Sequence, residues 1–124
     1  SVIMATVEGD IHDIGKNIVI AVLESHGYTV IDLGRDVAKE AIVQEAIEKN
    51  VSVIGLSALM TTTMPEMEHI INTFNKTGRA FKVMVGGAAV TRDFAEKIGA
   101  AGYARDAVEA VRVVEGLILD TNNR

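Results

Sequence analysis

Cysteine is absent from the 124-residue chain, and with it go disulfides, thiolate metal sites and thiol nucleophiles. Such a composition suits a reducing cytoplasm. Aromatic residues are scarce as well: Tyr28, Tyr103 and three phenylalanines leave little to stack on a flavin ring. The 12 lysines and arginines are scattered under a net charge of −5, so no basic face tracks a phosphate backbone and nucleic acid is not an expected partner. The first run, Ser1-Val2-Ile3-Met4-Ala5-Thr6-Val7, has no basic leader and reaches an acid at Glu8. Neither a signal peptide nor a membrane span is expected there. Two glycine patterns are also missing: the chain contains no G-x-x-x-x-G-K-[ST] phosphate loop and no G-x-G-x-x-G dinucleotide fingerprint.

What remains is a chain with 48% hydrophobic residues, of a length that one compact domain over 1–124 accounts for. A strand-like run at the very first residues suggests that the chain starts at a domain boundary of a larger protein. Short β-rich runs alternate with longer amphipathic stretches, which predicts βαβ units and a doubly wound, five-stranded parallel sheet in a flavodoxin-like order. The expected strands are Val2 to Val7, Tyr28 to Leu33, Val51 to Leu56, Lys82 to Val85, and a short one at Gly102 to Ala104. Their nearly continuous apolar character is what burial on both faces demands.

Between the strands, Ile14, Ile18 and Val22 repeat at helical spacing and Gly27 stops the helix. A second helix is expected over Ala38 to Lys49, with Ala38, Ile42 and Ala46 inward and Asp36 as its cap. Pro65 opens a third, burying Met67, Ile70, Ile71 and Phe74, with Thr62 or Thr63 as cap. The last two cover Arg92 to Ile98 and Ala107 to Leu119.

Open α/β sheets bind ligands beyond the carboxyl ends of their strands. Three loops lie there. The first holds Asp10 and His12, then Gly15 at a helix start. A neutral imidazole can bind a metal through one nitrogen while a carboxylate accepts the other N–H and fixes the tautomer. Equally, Asp10 could cap the helix and His12 be a plain loop residue, and spacing alone does not choose. The second loop, Ser57-Ala58-Leu59-Met60-Thr61-Thr62-Thr63-Met64, offers four hydroxyls, more than capping requires. The third, Gly86-Gly87-Ala88-Ala89, removes side chains where a ligand or a tight turn needs room. His26 and His69 fall on helices away from the apolar stripes and are expected to face solvent.

Taken jointly, Asp10-x-His12-x-x-Gly15, 41 residues, Ser57-x-Leu59, 26 residues and Gly86-Gly87 resemble the signature of base-off, His-on corrinoid-binding domains. The likeness is to the domain of methionine synthase and to the corrinoid proteins of methyltransferase systems. Asp13-Ile14-Gly15-Lys16-Asn17 favours this methyl-transfer branch over adenosylcobalamin-dependent isomerases, which stay the alternative, as does a B12-binding sensor.

The resemblance implies cobalamin or another cobamide as cofactor, with His12 as the cobalt ligand, Asp10 its orienting partner, and Thr63 where relatives carry a serine bonded to that aspartate. It places Asp13, Ile14, Gly15, Ser57, Leu59, Thr61, Gly86, Gly87, Gly102 and Tyr103 in the cofactor-binding set. It implies that the cofactor's nucleotide tail passes where a Cβ at the glycine pair would collide. The implied function is a methyl carrier, a cofactor-holding component and not a complete enzyme, in the cytoplasm. The implied partners are a donor-specific methyltransferase, a second methyltransferase acting on tetrahydrofolate or a thiol, and a reductive activation protein. The helical cap domain usual in such proteins has no candidate in this sequence.

Overall fold

The computed structural model describes residues 1–122. Strands and helices alternate without exception: β1 (Val2–Val7), α1 (Ile14–Ser25), β2 (Val30–Val37), α2 (Lys39–Glu48), β3 (Val53–Ser57), α3 (Pro65–Asn75), β4 (Lys82–Gly86), α4 (Arg92–Lys97), β5 (Gly102–Ala104) and α5 (Ala107–Asn122). All strands pair in parallel, in the order β2-β1-β3-β4-β5. This is the expected doubly wound, flavodoxin-like sheet.

Alternation along each strand divides the core in two. Ile3, Ala5, Val7, Ile54, Leu56, Val83 and Val85 face Ile42, Ala46, Met67, Ile70 and Phe74 from α2 and α3. Val2, Met4, Val53 and Met84 face the other way, onto Leu23 of α1 and Ala110, Val111 and Val114 of α5. Because β1 is central, all six of its residues are buried, which explains why its sequence reads as one apolar run.

Four expectations need correction. The buried residues of α1 are Lys16 and Leu23, whereas Ile14 and Ile18 are 78% and 54% exposed. An apolar stripe ordinarily faces the core, but here it lies beside a cavity. The second strand runs later than expected, to Val37, because β2 gains one residue on β1 at each of two register irregularities, Met4/Ala5 and Ala5/Val7. Asp36 consequently belongs to the strand, with φ 54°, and α2 starts behind Ala38 with no side-chain cap. Neither Thr62 nor Thr63 caps α3: Met64 holds the cap position and makes no side-chain bond. Proline at the start of α3 removes an N–H that would otherwise need a partner.

Candidate functional site

The β1–α1 loop leaves the central strand and turns at once at Gly9, whose φ is 88°. Its carboxylate, Asp10, is fully buried. A lone buried charge is costly, so the donors around it decide whether it stays ionised. Oδ1 accepts from the His12 backbone N–H at 3.0 Å and pairs with His12 Nδ1 at 2.8 Å. Oδ2 accepts from the Leu59 N–H at 2.8 Å, the Met60 N–H at 3.4 Å and the Thr63 hydroxyl at 2.8 Å. Burial pushes the Asp10 carboxyl up, but the backbone bonds from His12 and Leu59, then the side chains of His12 and Thr63, outweigh it and hold the group well below the usual carboxylate range. Asp10 is therefore an anion, and an anion only accepts. Nδ1 of His12 must carry the proton, and the Nε2 lone pair is left pointing away from Asp10.

That geometry rules out the capping reading of the loop. Asp10 does not cap α1; Asp13 holds the cap position and makes no side-chain bond. The imidazole is 46% exposed at the carboxyl rim of the sheet, flanked by exposed Ile11 and Leu59. The loop is also tied from β2, where the Asp36 carboxylate accepts from the Gly9 N–H at 2.7 Å and its own N–H donates to the Asp10 carbonyl at 2.9 Å.

Beneath the rim, between α1 and α5, lies a cavity of about 520 Å³. Gly15, Ser57, Gly86 and Gly87 line it, together with residues the sequence did not single out: Met4, Lys16, Leu56, Met84 and the start of α5. Other members of the expected set lie elsewhere. Thr61 is exposed on the β3–α3 loop, Asp13 and Ile14 sit at the mouth of α1, and Gly102 is packed so that a Cβ would lie 2.5 Å from Val113 Cγ1. Tyr103 packs on the opposite face of the sheet, its hydroxyl donating to the Val90 carbonyl at 3.2 Å and its ring 5.4 Å from the Arg92 guanidinium. The glycine pair has a nearer reason than a passing ligand. A Cβ on Gly86 would lie 3.0 Å from the Ala104 carbonyl, and one on Gly87 would overlap the Ala58 carbonyl.

A protein-family model described as a B12 binding domain matches residues 1–112. The chain belongs to the B12-binding domain family. Among B12-binding relatives, dimethylamine corrinoid protein 2 of Methanosarcina acetivorans is 49% identical over 120 residues, covering 95% of this chain and 56% of the relative. The monomethylamine corrinoid protein of Methanosarcina barkeri superimposes with a TM-score of 0.86 at 37% identity, over 94% of this chain and 57% of that one. A chain of the methanol:cobalamin methyltransferase complex MtaBC from the same organism gives 0.88 at 36%, over 95% and 46%. The chain thus spans about half the length of these relatives.

A corrinoid is accordingly the cofactor class of this B12-binding chain, and the residues present suit one. The rim carries an imidazole with a free Nε2 beside exposed apolar side chains, and the cavity below has room for an aromatic nucleoside. On the strand beside it, the buried Thr6 Oγ1, whose residue pairs with cavity-lining Ser57, has no hydrogen-bond partner among the described residues. No helix among the described residues is long and apolar enough to cross a membrane.

Proposed function

We propose that this chain is the cobamide-holding module of a methyltransferase system, in which His12 Nε2 would bind the cobalt. The observation that carries the reading is the Thr63–Asp10–His12 hydrogen-bond chain at the carboxyl rim of the sheet. When bound, the cobalt supplies the centre that takes a methyl group from one partner and yields it to another. The chain's own residues hold and orient. Asp10 keeps the proton on Nδ1, and Thr63 with the Leu59 and Met60 amides keeps Asp10 ionised. Ser57, Gly15, Gly86 and Gly87 wall the space for the displaced nucleotide tail. Leu59 and Ile11 offer the corrin an apolar seat, with Thr61 on the same rim.

The partners in this reading are a donor-specific methyltransferase, a second methyltransferase for a folate or thiol acceptor, and a reductive activator, all in the cytoplasm. The relatives' names favour methylated amines as the donor class. Reconstitution with methylcobalamin tests the core of it. The wild-type chain is expected to give a base-off spectrum with an axial nitrogen, confirmed by electron paramagnetic resonance of the Co(II) form. His12→Ala is expected to lose that nitrogen signal entirely. A wild-type spectrum in which the cofactor's own base still sits on cobalt would overturn the assignment.

A further inference from the structure

Lys16 is the one cation buried among the described residues, with 2% of its surface exposed. Its side chain lines the cavity wall from the first turn of α1. Nζ donates to Asp32 Oδ1 of β2 at 2.6 Å and makes no other hydrogen bond among the described residues. An ammonium has three N–H donors, and buried donors are rarely left unpaired. Two donors of a buried, cavity-lining residue are thus left without an acceptor among the described residues.

We infer that Lys16 is a recognition residue for the nucleotide tail, donating to a neutral acceptor on the lower-base nucleoside. The inference rests on the reading that this cavity takes the tail. A neutral acceptor, a ring nitrogen or a ribose oxygen, is favoured over the phosphodiester because the charge of Lys16 is already met. Burial raises the Asp32 carboxyl, but the Lys16 bond, the Gly34 N–H and the Lys16 charge more than reverse this, so the carboxylate is ionised. The pair is neutral as a unit, and a further anion beside it would face Asp32 as well as Lys16. Much of the rest of the lining is apolar, with Met4, Ile18, Val19, Leu56, Met84 and Val85, and its two other charged residues, Arg105 and Asp106, are of opposite sign at the start of α5.

The pair also ties α1 to β2, so the test needs a reading that a purely structural tie would not move. Cobinamide, which has the corrin but no nucleotide, provides it. Lys16→Met is expected to weaken cobalamin binding about tenfold in an absorbance titration, the scale of one lost hydrogen bond, and to leave cobinamide binding unchanged. Lys16→Gln keeps a donor without the charge and is expected to hold cobalamin affinity within about threefold. In the wild-type chain, the Lys16 ε-methylene carbon signal, identified by its loss in Lys16→Gln, is expected to shift with cobalamin and not with cobinamide. This arm does not depend on the methionine variant folding.

Equal losses for both ligands, no loss for either, or a signal unmoved by cobalamin would overturn the inference. So would Lys16→Gln falling as far as Lys16→Met, which would transfer the contact to the phosphodiester. Base-off cobalamin binding with flat Lys16 arms sinks this inference alone, whereas no cobalamin binding by the wild type sinks the reading beneath it.

Discussion

Asp10→Ala is expected to destabilise the apo chain by roughly 3 kcal/mol in denaturant unfolding, since it strips a buried acceptor from several donors at about 1 kcal/mol or more each. Not every donor loses everything. The Thr63 hydroxyl still has the Met60 carbonyl at 3.0 Å, while the Leu59 N–H has no second partner among the described residues. The effect also depends on pH, with a definite sign. The folded carboxyl lies below its unfolded value of 3.8, so its stabilisation is complete above that pH and fades as pH falls through and below it. The gap between wild type and Asp10→Ala should therefore narrow from about pH 5 to about pH 3. A gap that stayed constant or widened in acid would show that Asp10 is not the ionised hub.

The same position predicts a separable effect on the metal. Asp10→Asn keeps the shape and one acceptor for the Leu59 and Thr63 donors, which turns its NH₂ toward His12. Nδ1 then has to accept, so the proton moves to Nε2 and the lone pair that the proposed cobalt ligand would offer disappears. Axial coordination is expected to weaken by about 10- to 100-fold, the usual scale for an outer partner of a metal-bound histidine. The Co(II) form of cobalamin titrated into the variant, with the axial-nitrogen paramagnetic resonance signal as readout, checks it. Undiminished coordination would mean that Asp10 stabilises the loop without orienting the ring.

How far such a site can be seen in a sequence depends on which forces write it. The sheet was legible because strands buried on both faces must be apolar throughout, as β1 and β3 are. The face of α3 was legible for the same reason, with Met67, Ile70, Ile71 and Phe74 all inward. Helix α1 was not, since hydrophobic periodicity assumes that apolar side chains seek the core. Ile14 and Ile18 instead stay exposed, Ile18 beside the cavity, and Lys16 goes inward because Asp32, 16 residues away, compensates it. A stripe drawn through Lys16, Val19 and Leu23 would have found the packed face, but a lysine argues against drawing it. Asp36 was hidden more deeply. Its grip on Gly9 and Asp10 exists because β2 slips against β1 twice, and such irregularities arise between strands rather than within either one. Of the rim residues, His12 and Asp10 were named from a joint spacing and Thr63 from the family resemblance, and the structure joins them in one hydrogen-bond chain.

Gly87→Ala carries the largest stability effect expected of a single methyl group in this chain. The residue has φ 125°, a conformation that L side chains rarely adopt, and its added Cβ would overlap the Ala58 carbonyl oxygen and lie 2.9 Å from the carbonyl carbon. Neither contact can swing aside, because both atoms are backbone at the end of β3, held by the Ala58 N–H bond to the Gly86 carbonyl. Backbone strain and overpacking together set the cost at roughly 3 to 5 kcal/mol. Gly116→Ala is the matched control. That glycine lies in α5 with nothing within 4 Å of an added Cβ, so the same substitution should stabilise the chain by about 0.5 to 1 kcal/mol. Opposite signs in two denaturant midpoints are the expected result. If Gly87→Ala were as stable as the wild type, the close approach of β3 and β4 at the cavity rim would be wrong, and with it the wall that Gly86, Gly87 and Ser57 share. If it is unstable as expected, the glycine pair is required by the protein's own backbone, and the shape of the cavity wall follows from that packing.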